Sequence, residues 1–259
     1  MINTKPNTLL KFVFSLGIFL LIYSCTTNET FTFEKQNFTV DNLPSCKDSD
    51  CASLEINLLQ VIDDRPICKD INKEIEKAAC SILNTEEKAS EENMNDAIHQ
   101  FNRSYQEISN EFPDETVPYE ASIDCKLSFT CQGLISVSID SYIFTGGAHG
   151  YSSLSFINID SKTGKRIPNR KLLKDPSEFE NYVEKVFRQN FEIPETASIN
   201  STGFFFENET FKLPENIGFT ATDIILHYNQ YEISSYAEGP VVLKLDKKEI
   251  SSFFAINIE

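Results

Sequence analysis

The residues best placed to do chemistry lie in one stretch, Ser141-Tyr142-Ile143-Phe144-Thr145-Gly146-Gly147-Ala148-His149-Gly150-Tyr151. His149 is one of three histidines in the chain, with His99 and His227. Glycine takes positive φ without steric cost, so Gly146, Gly147 and Gly150 allow backbone that other residues resist. An imidazole at the tip of such a turn can serve as a general base or as the polar contact of a binding site. The plain alternative is a hairpin whose glycines serve the turn alone. Spacing leaves both readings open.

A second stretch is rich in rings: Tyr228-Asn229-Gln230-Tyr231-Glu232-Ile233-Ser234-Ser235-Tyr236-Ala237-Glu238-Gly239-Pro240. A tyrosine combines an apolar ring with a polar tip, which suits sugar stacking or a protein contact surface. The rings could equally pack beneath the loop with their hydroxyls bonded to it. His227 falls on the strand before this loop, opposite Ile224, Leu226 and Tyr228, and reads as structural. His99 lies off the apolar stripe of its helix and reads as a surface residue.

Other chemistries find little support. The sequence has no HExxH and no His/Cys cluster, so no metal site is expected. No GxSxG elbow, Walker A or GxGxxG occurs. The carboxylate pairs Asp63-Asp64 and Glu91-Glu92 are adjacent in sequence and point different ways. No catalytic residue, metal or cofactor is therefore assigned. An enzyme here would have to use His149 with an acid or nucleophile from elsewhere.

Elements that could position these residues follow from hydrophobic period. Residues from Ala52 to Ile62 alternate as a strand until Asp63-Asp64-Arg65-Pro66. Ile71, Ile75, Ala78, Ala79, Ile82 and Leu83 recur at helical spacing. Met94, Ala97, Ile98, Phe101, Tyr105, Ile108 and Phe112 form a second stripe, with Ser90 as a candidate N-cap. From Tyr119 the period is two. One strand runs to a turn at Gln132-Gly133, and a second enters the glycine hairpin. A third, Tyr151 to Ile159, ends in a turn at Asp160-Ser161-Lys162-Thr163-Gly164. There Asp160 bonds nearby N–H groups and Gly164 takes the left-handed position. Pro176 opens a third helix with Phe179, Val183 and Phe187 on its buried face. Short strands are expected at Phe204–Phe206, Phe211–Leu213, Ile224–Tyr228 and Pro240–Leu245, and a short helix from Asp246. Grouped rather than alternating elements predict an α+β fold, with antiparallel sheets packed against three main helices.

Residues 1–24 read as an export signal. Lys5 and Lys11 precede an apolar run from Phe12 to Tyr23, too short for the roughly 20 residues of a spanning helix. Leu21-Ile22-Tyr23-Ser24-Cys25 resembles a bacterial lipobox, which implies lipidation of Cys25 and, with no acid following it, outer-membrane attachment. Residues 25–45 are then the lipidated cysteine and a tether. Six further cysteines remain: Cys46, Cys51, Cys68, Cys80, Cys125 and Cys131. An even number in an exported chain predicts disulfides, with Cys46–Cys51 the best pair. Cys68 and Cys80 on one helix would lie about 18 Å apart, beyond bonding reach. The net charge is −16, and −18 without residues 1–24. That acidity argues against nucleic acid and favours a basic partner.

Taken together, Tyr142-x-Phe144-Thr145-Gly146-Gly147-Ala148-His149-Gly150, Thr163-Gly164-Lys165, Tyr228-x-x-Tyr231-Glu232-Ile233 and Tyr236-Ala237-x-Gly239-Pro240 resemble the extracellular domain of RsiV-type anti-sigma factors. The likeness runs from about Ala52 to the end. Residues 46–145 are also similar to the domain that precedes the catalytic domain of PdaC-type peptidoglycan deacetylases, leaving 146–259 as the RsiV-like half. The resemblance implies an α+β envelope domain that binds lysozyme; in departure from those families, no anti-sigma or deacetylase role is expected. The expected function is thus a non-catalytic, lipid-anchored envelope protein that binds a lysozyme-like protein or a peptidoglycan fragment. Its contact residues would be His149, Tyr151, Tyr231 and Tyr236. The alternatives are a polysaccharide hydrolase using His149 and a purely structural lipoprotein.

Overall fold

A computed structural model describes residues 30–40, 46, 50–85, 91–114 and 116–258. Residues 1–24, read above as an export signal, and Cys25 and Ser90 lie outside the described residues. From Phe31 onward the chain forms one compact unit with two cores.

The first core lies between a five-stranded sheet and two helices. Its strands are β1 (Phe33–Phe38), β2 (Ser53–Val61), β3 (Glu120–Cys131), β4 (Leu134–Phe144) and β5 (Tyr151–Ile159), in that spatial order. All neighbours are antiparallel except β2 and β3, which run parallel. The helices α1 (Ile67–Leu83) and α2 (Met94–Glu111) cross between those two parallel strands. Their apolar stripes, Ile71, Ile75 and Ala79 on α1 and Ala97, Ile98 and Phe101 on α2, are buried against the sheet as the period predicts, but Ile108 and Phe112 at the end of the second stripe are exposed. Asn93 caps α2 by accepting from the N–H of Asp96 at 2.9 Å.

The second core gathers around α4 (Pro176–Asn190) and a three-stranded antiparallel sheet of β6 (Asn216–Phe219), β7 (Asp223–Tyr228) and β8 (Val241–Asp246). One-turn helices α3 (Asn169–Leu172) and α5 (Lys247–Ile250) flank it. Phe187 is its hub, with the rings of Phe191, Phe204, Phe206, Phe211 and Tyr228 around it. The expected α+β architecture is therefore the observed one, with α1, α2 and α4 the three long helices among the described residues.

Strand β5 joins the two cores by its two faces. Ile157 and Ile159 point into the first core. Phe156 and Asn158 point the other way, onto β6. The Phe156 ring fills the space where a Cβ on Gly218 would come within 2.3 Å of it, so only glycine fits there. Asn158 donates to Ile217 O at 2.7 Å, and Phe156 N–H donates to Asn216 Oδ1 at 3.4 Å.

Four local expectations are corrected. Residues 25–45, read as a tether, contain β1, which pairs along β2. Phe204–Phe206 and Phe211–Leu213 are not strands. Instead the Phe206 N–H and C=O both bond the side chain of Asn200, at 2.8 and 2.9 Å, and its ring enters the second core. The disulfide framework reduces to Cys46–Cys51, while Cys68, Cys80, Cys125 and Cys131 are free thiols. Burial pushes the Cys80 and Cys125 thiols up to about 12 and about 11, so these are inert core residues. No described helix is long and apolar enough to cross a membrane.

Candidate functional site: the hairpin and the tyrosine loop

The β4–β5 hairpin and the loop after β7 meet in space. Strand pairing runs up to Ile143 opposite Tyr151, and residues 145–150 close the turn. Gly146 and Gly147 have φ of +97° and +90°, with open space where a side chain would stand. They meet the left-handed requirement read from the sequence. Gly150 does not. Its φ is unremarkable, and it is glycine because the Tyr142 ring lies 2.4 Å from where its Cβ would be. Gly164 does both jobs, with φ +68° and a Cβ position 2.7 Å from Asp70 Cβ. Its turn is closed by Asp160, whose Oδ1 accepts from Lys162 N–H at 2.7 Å.

Asn229 docks the loop on the hairpin. Its side-chain Oδ1 accepts from Leu154 N–H at 2.9 Å and its Nδ2 donates to Leu154 O at 3.2 Å. The amide thus stands in for a paired strand residue at the edge of β5. The Tyr151 hydroxyl donates to Gln230 O at 3.4 Å nearby. Desolvation, and after it the Glu232 carboxylate, raise the Tyr151 phenol above its usual range, so it stays a neutral donor.

These contacts bring the four candidate residues together. His149 stacks on Tyr236 with ring centroids 3.9 Å apart and planes 19° apart. Tyr231 lies beside Tyr236 at 5.8 Å. His149, Tyr151, Tyr231 and Tyr236 are all exposed, while Ile233 and Ser234 are buried beneath the loop. A carbonyl oxygen can only accept, so the 3.1 Å contact between His149 Nδ1 and Gly150 O places the ring's proton on Nδ1. No carboxylate bonds His149 among the described residues.

Tyr231 has φ +67°, rare for an aromatic residue. The loop imposes it, since Tyr231 N–H donates to Ser234 O and Glu232 N–H to Asn229 O, both at 3.1 Å. A strained backbone that turns a ring into solvent fits a contact surface better than a packing role.

The other predicted residues fall elsewhere. Tyr228 is core, with its hydroxyl donating to Lys212 O at 2.6 Å. His227 is buried, as a structural residue should be, and burial lowers its pKa. His99 is exposed on α2. Among the described residues no cluster of His, Cys, Asp or Glu could hold a metal.

Two features of the surface escaped sequence reasoning. Phe205 is 46% exposed beside the tyrosine loop, its N–H donating to Ile233 O at 3.1 Å. The second is the charge pattern around the site. No lysine or arginine occurs from Leu127 to Ser161 or from Leu213 to Leu243, the two segments that build the surface. Glu232 and Glu238 are exposed on the second of them.

Residues 45–152 match the family model described as Deacetylase PdaC, and residues 171–248 match that described as Protein of unknown function (DUF3298). The chain is similar to PdaC in its first half and to DUF3298 in its second. The first match ends at the hairpin and takes in His149 and Tyr151, while the second takes in Tyr231 and Tyr236. No curated protein matches the chain. The fold is similar to the crystal structure of a DUF3298 family member from Bacteroides fragilis, with a TM-score of 0.65 at 16% identity over 88% of this chain and 95% of that one. It is also similar to that of a DUF3298 family protein from Pseudomonas aeruginosa, with a TM-score of 0.59 at 20% identity over 89% and 97%.

Proposed function

We propose that this protein is a binding module of the bacterial cell envelope whose aromatic surface takes a basic protein of the lysozyme type. One observation carries the reading. Four exposed rings from the hairpin and the loop meet on one surface, and the segments that build it contain no lysine or arginine. Exposed tyrosines held in fixed positions are typical anchors of protein interfaces. Acidic surroundings draw in a cationic partner and exclude an anionic one.

The PdaC and DUF3298 matches point to an extracellular, envelope-related protein and so support the setting. The resemblance of the hairpin and loop to RsiV-type domains supports the partner. We place the chain at the outer membrane through lipid on Cys25. Loss of the protein from the membrane fraction on Cys25→Ser is the expected result, and unchanged fractionation with unchanged mass would remove the anchor.

The function is tested by titrating the purified protein with a basic lysozyme at low and high salt, alongside peptidoglycan fragments. Binding to lysozyme with an on-rate that falls as salt rises is expected. Binding of the fragments alone would assign the surface to glycan. Turnover of the fragments, abolished by His149→Ala, would make the protein a hydrolase.

A further inference from the structure

We infer that a cleft beside the end of the tyrosine loop receives an arginine side chain of the bound partner, an inference that rests on the binding function proposed above. The cleft has a volume of about 340 Å³. Phe191, Phe204, Pro240 and Val242 supply apolar walls, and Glu238 is the one charged side chain lining it. It shares the loop Asn229–Pro240 with the His149–Tyr236 surface: Ser234, Glu238 and Pro240 line the cleft, and Tyr236, two residues from Glu238, stacks on His149.

Glu238 is held in a defined position. Its Oε2 accepts from both the N–H and the hydroxyl of Ser235, each at 3.3 Å. The turn that carries it is closed by Ser234 Oγ donating to Gly239 O at 2.7 Å. Its Oε1 makes no hydrogen bond among the described residues and reaches toward Gly203, 3.9 Å from where a Cβ would stand there. Gly203 has φ +101°, so the position disfavours any side chain that would crowd the carboxylate.

The result is an acidic oxygen at an aromatic and aliphatic slot with no cation of its own. An apolar stem with a cationic head satisfies both parts at once. Arginine fits better than lysine, because its planar guanidinium can stack on Phe204 while donating to Oε1. The binding function names a basic partner, and this cleft names the side chain it presents.

The test measures dissociation of a basic lysozyme from three forms of the protein: unchanged, Glu238→Gln and Val242→Trp. Glu238→Gln keeps the shape and removes the charge, and Val242→Trp fills the slot from an exposed strand position. Each is expected to speed dissociation about tenfold, as loss of one charge-assisted hydrogen bond would, with the melting temperature unchanged. Lysozyme whose arginines are blocked with a dicarbonyl reagent should lose the same factor, and the variants should then show no further loss. The inference is overturned if both variants dissociate at the unchanged rate while His149→Ala and Tyr236→Ala dissociate faster, a result that leaves the binding function standing. It is likewise overturned if acetylating the lysines of lysozyme, rather than blocking its arginines, abolishes the effect of Glu238→Gln. Failure of lysozyme to bind the unchanged protein would remove the binding function itself, and this inference with it.

Discussion

The His149 imidazole and the Tyr236 phenol ring stack 3.9 Å apart, one from the turn of the first sheet and the other from a loop of the second. The contact joins the two stretches richest in potential chemistry. Neither ring is sequestered by it, because both residues stay exposed. A contact that buries so little contributes modestly to folding, so its location is more telling than its strength.

Gly150 and Gly146 should fail for different reasons when given a side chain. Gly146→Ala strains backbone at φ +97° and should cost about 1 kcal/mol. Gly150→Ala drives a methyl into the Tyr142 ring and should cost about 1–3 kcal/mol. Adding Tyr142→Ala should recover part of the second loss and none of the first. A double-mutant cycle by denaturant unfolding measures this coupling. Equal effects of Tyr142→Ala in both backgrounds would contradict the steric account.

Tyr231 should separate stability from function. Its positive φ costs on the order of 1 kcal/mol for a non-glycine residue. Tyr231→Gly relieves that strain and removes an exposed ring. The melting temperature should hold or rise while lysozyme dissociates faster. A marked fall in melting temperature would show that the ring is a packing element.

His227 should make stability depend on pH. Burial lowers its pKa in the folded state, opposed by hydrogen bonding of the imidazolium to Asn229 and by the Asp140 carboxylate. The unfolded chain therefore binds more protons than the folded one as pH falls below about 6.5, the ordinary histidine value. Stability should decline from there until the folded-state pKa is passed. Unfolding free energy measured between pH 7.5 and 5 should show this slope in the unchanged protein. It should be weaker in His227→Gln, and equal slopes would contradict the assignment.

How much of this was legible differs by element. The helices were readable because single stripes such as Ile71–Ile75–Ala79 face one core. Strand β5 was readable on both faces, since Ile157 and Ile159 take the first core and Phe156 packs on Gly218 of β6. Strand β6 was not, because Asn216 and Gly218 are poor strand formers chosen for contacts with β5. The consecutive rings Phe204–Phe206 mimic a strand, but Asn200 supplies the backbone partner that a ladder would. Cysteine number suggested a framework, yet Cys68, Cys80 and Cys125 serve as small buried apolar groups. The site residues could be named from their types. Their meeting could not, since it depends on the paired bonds of Asn229 to Leu154, which no spacing reveals.

The most direct test of the binding surface compares dissociation of a basic lysozyme from the unchanged protein and from Tyr236→Ala, with the unfolding of both proteins followed in the same buffer. Truncating an interface anchor typically costs about 2 kcal/mol or more, so dissociation should be roughly 30-fold faster. The melting temperature should stay nearly constant, because the ring is exposed and stacks only on other exposed rings. An unchanged dissociation rate, or a faster one matched by a large loss of stability, would contradict the account.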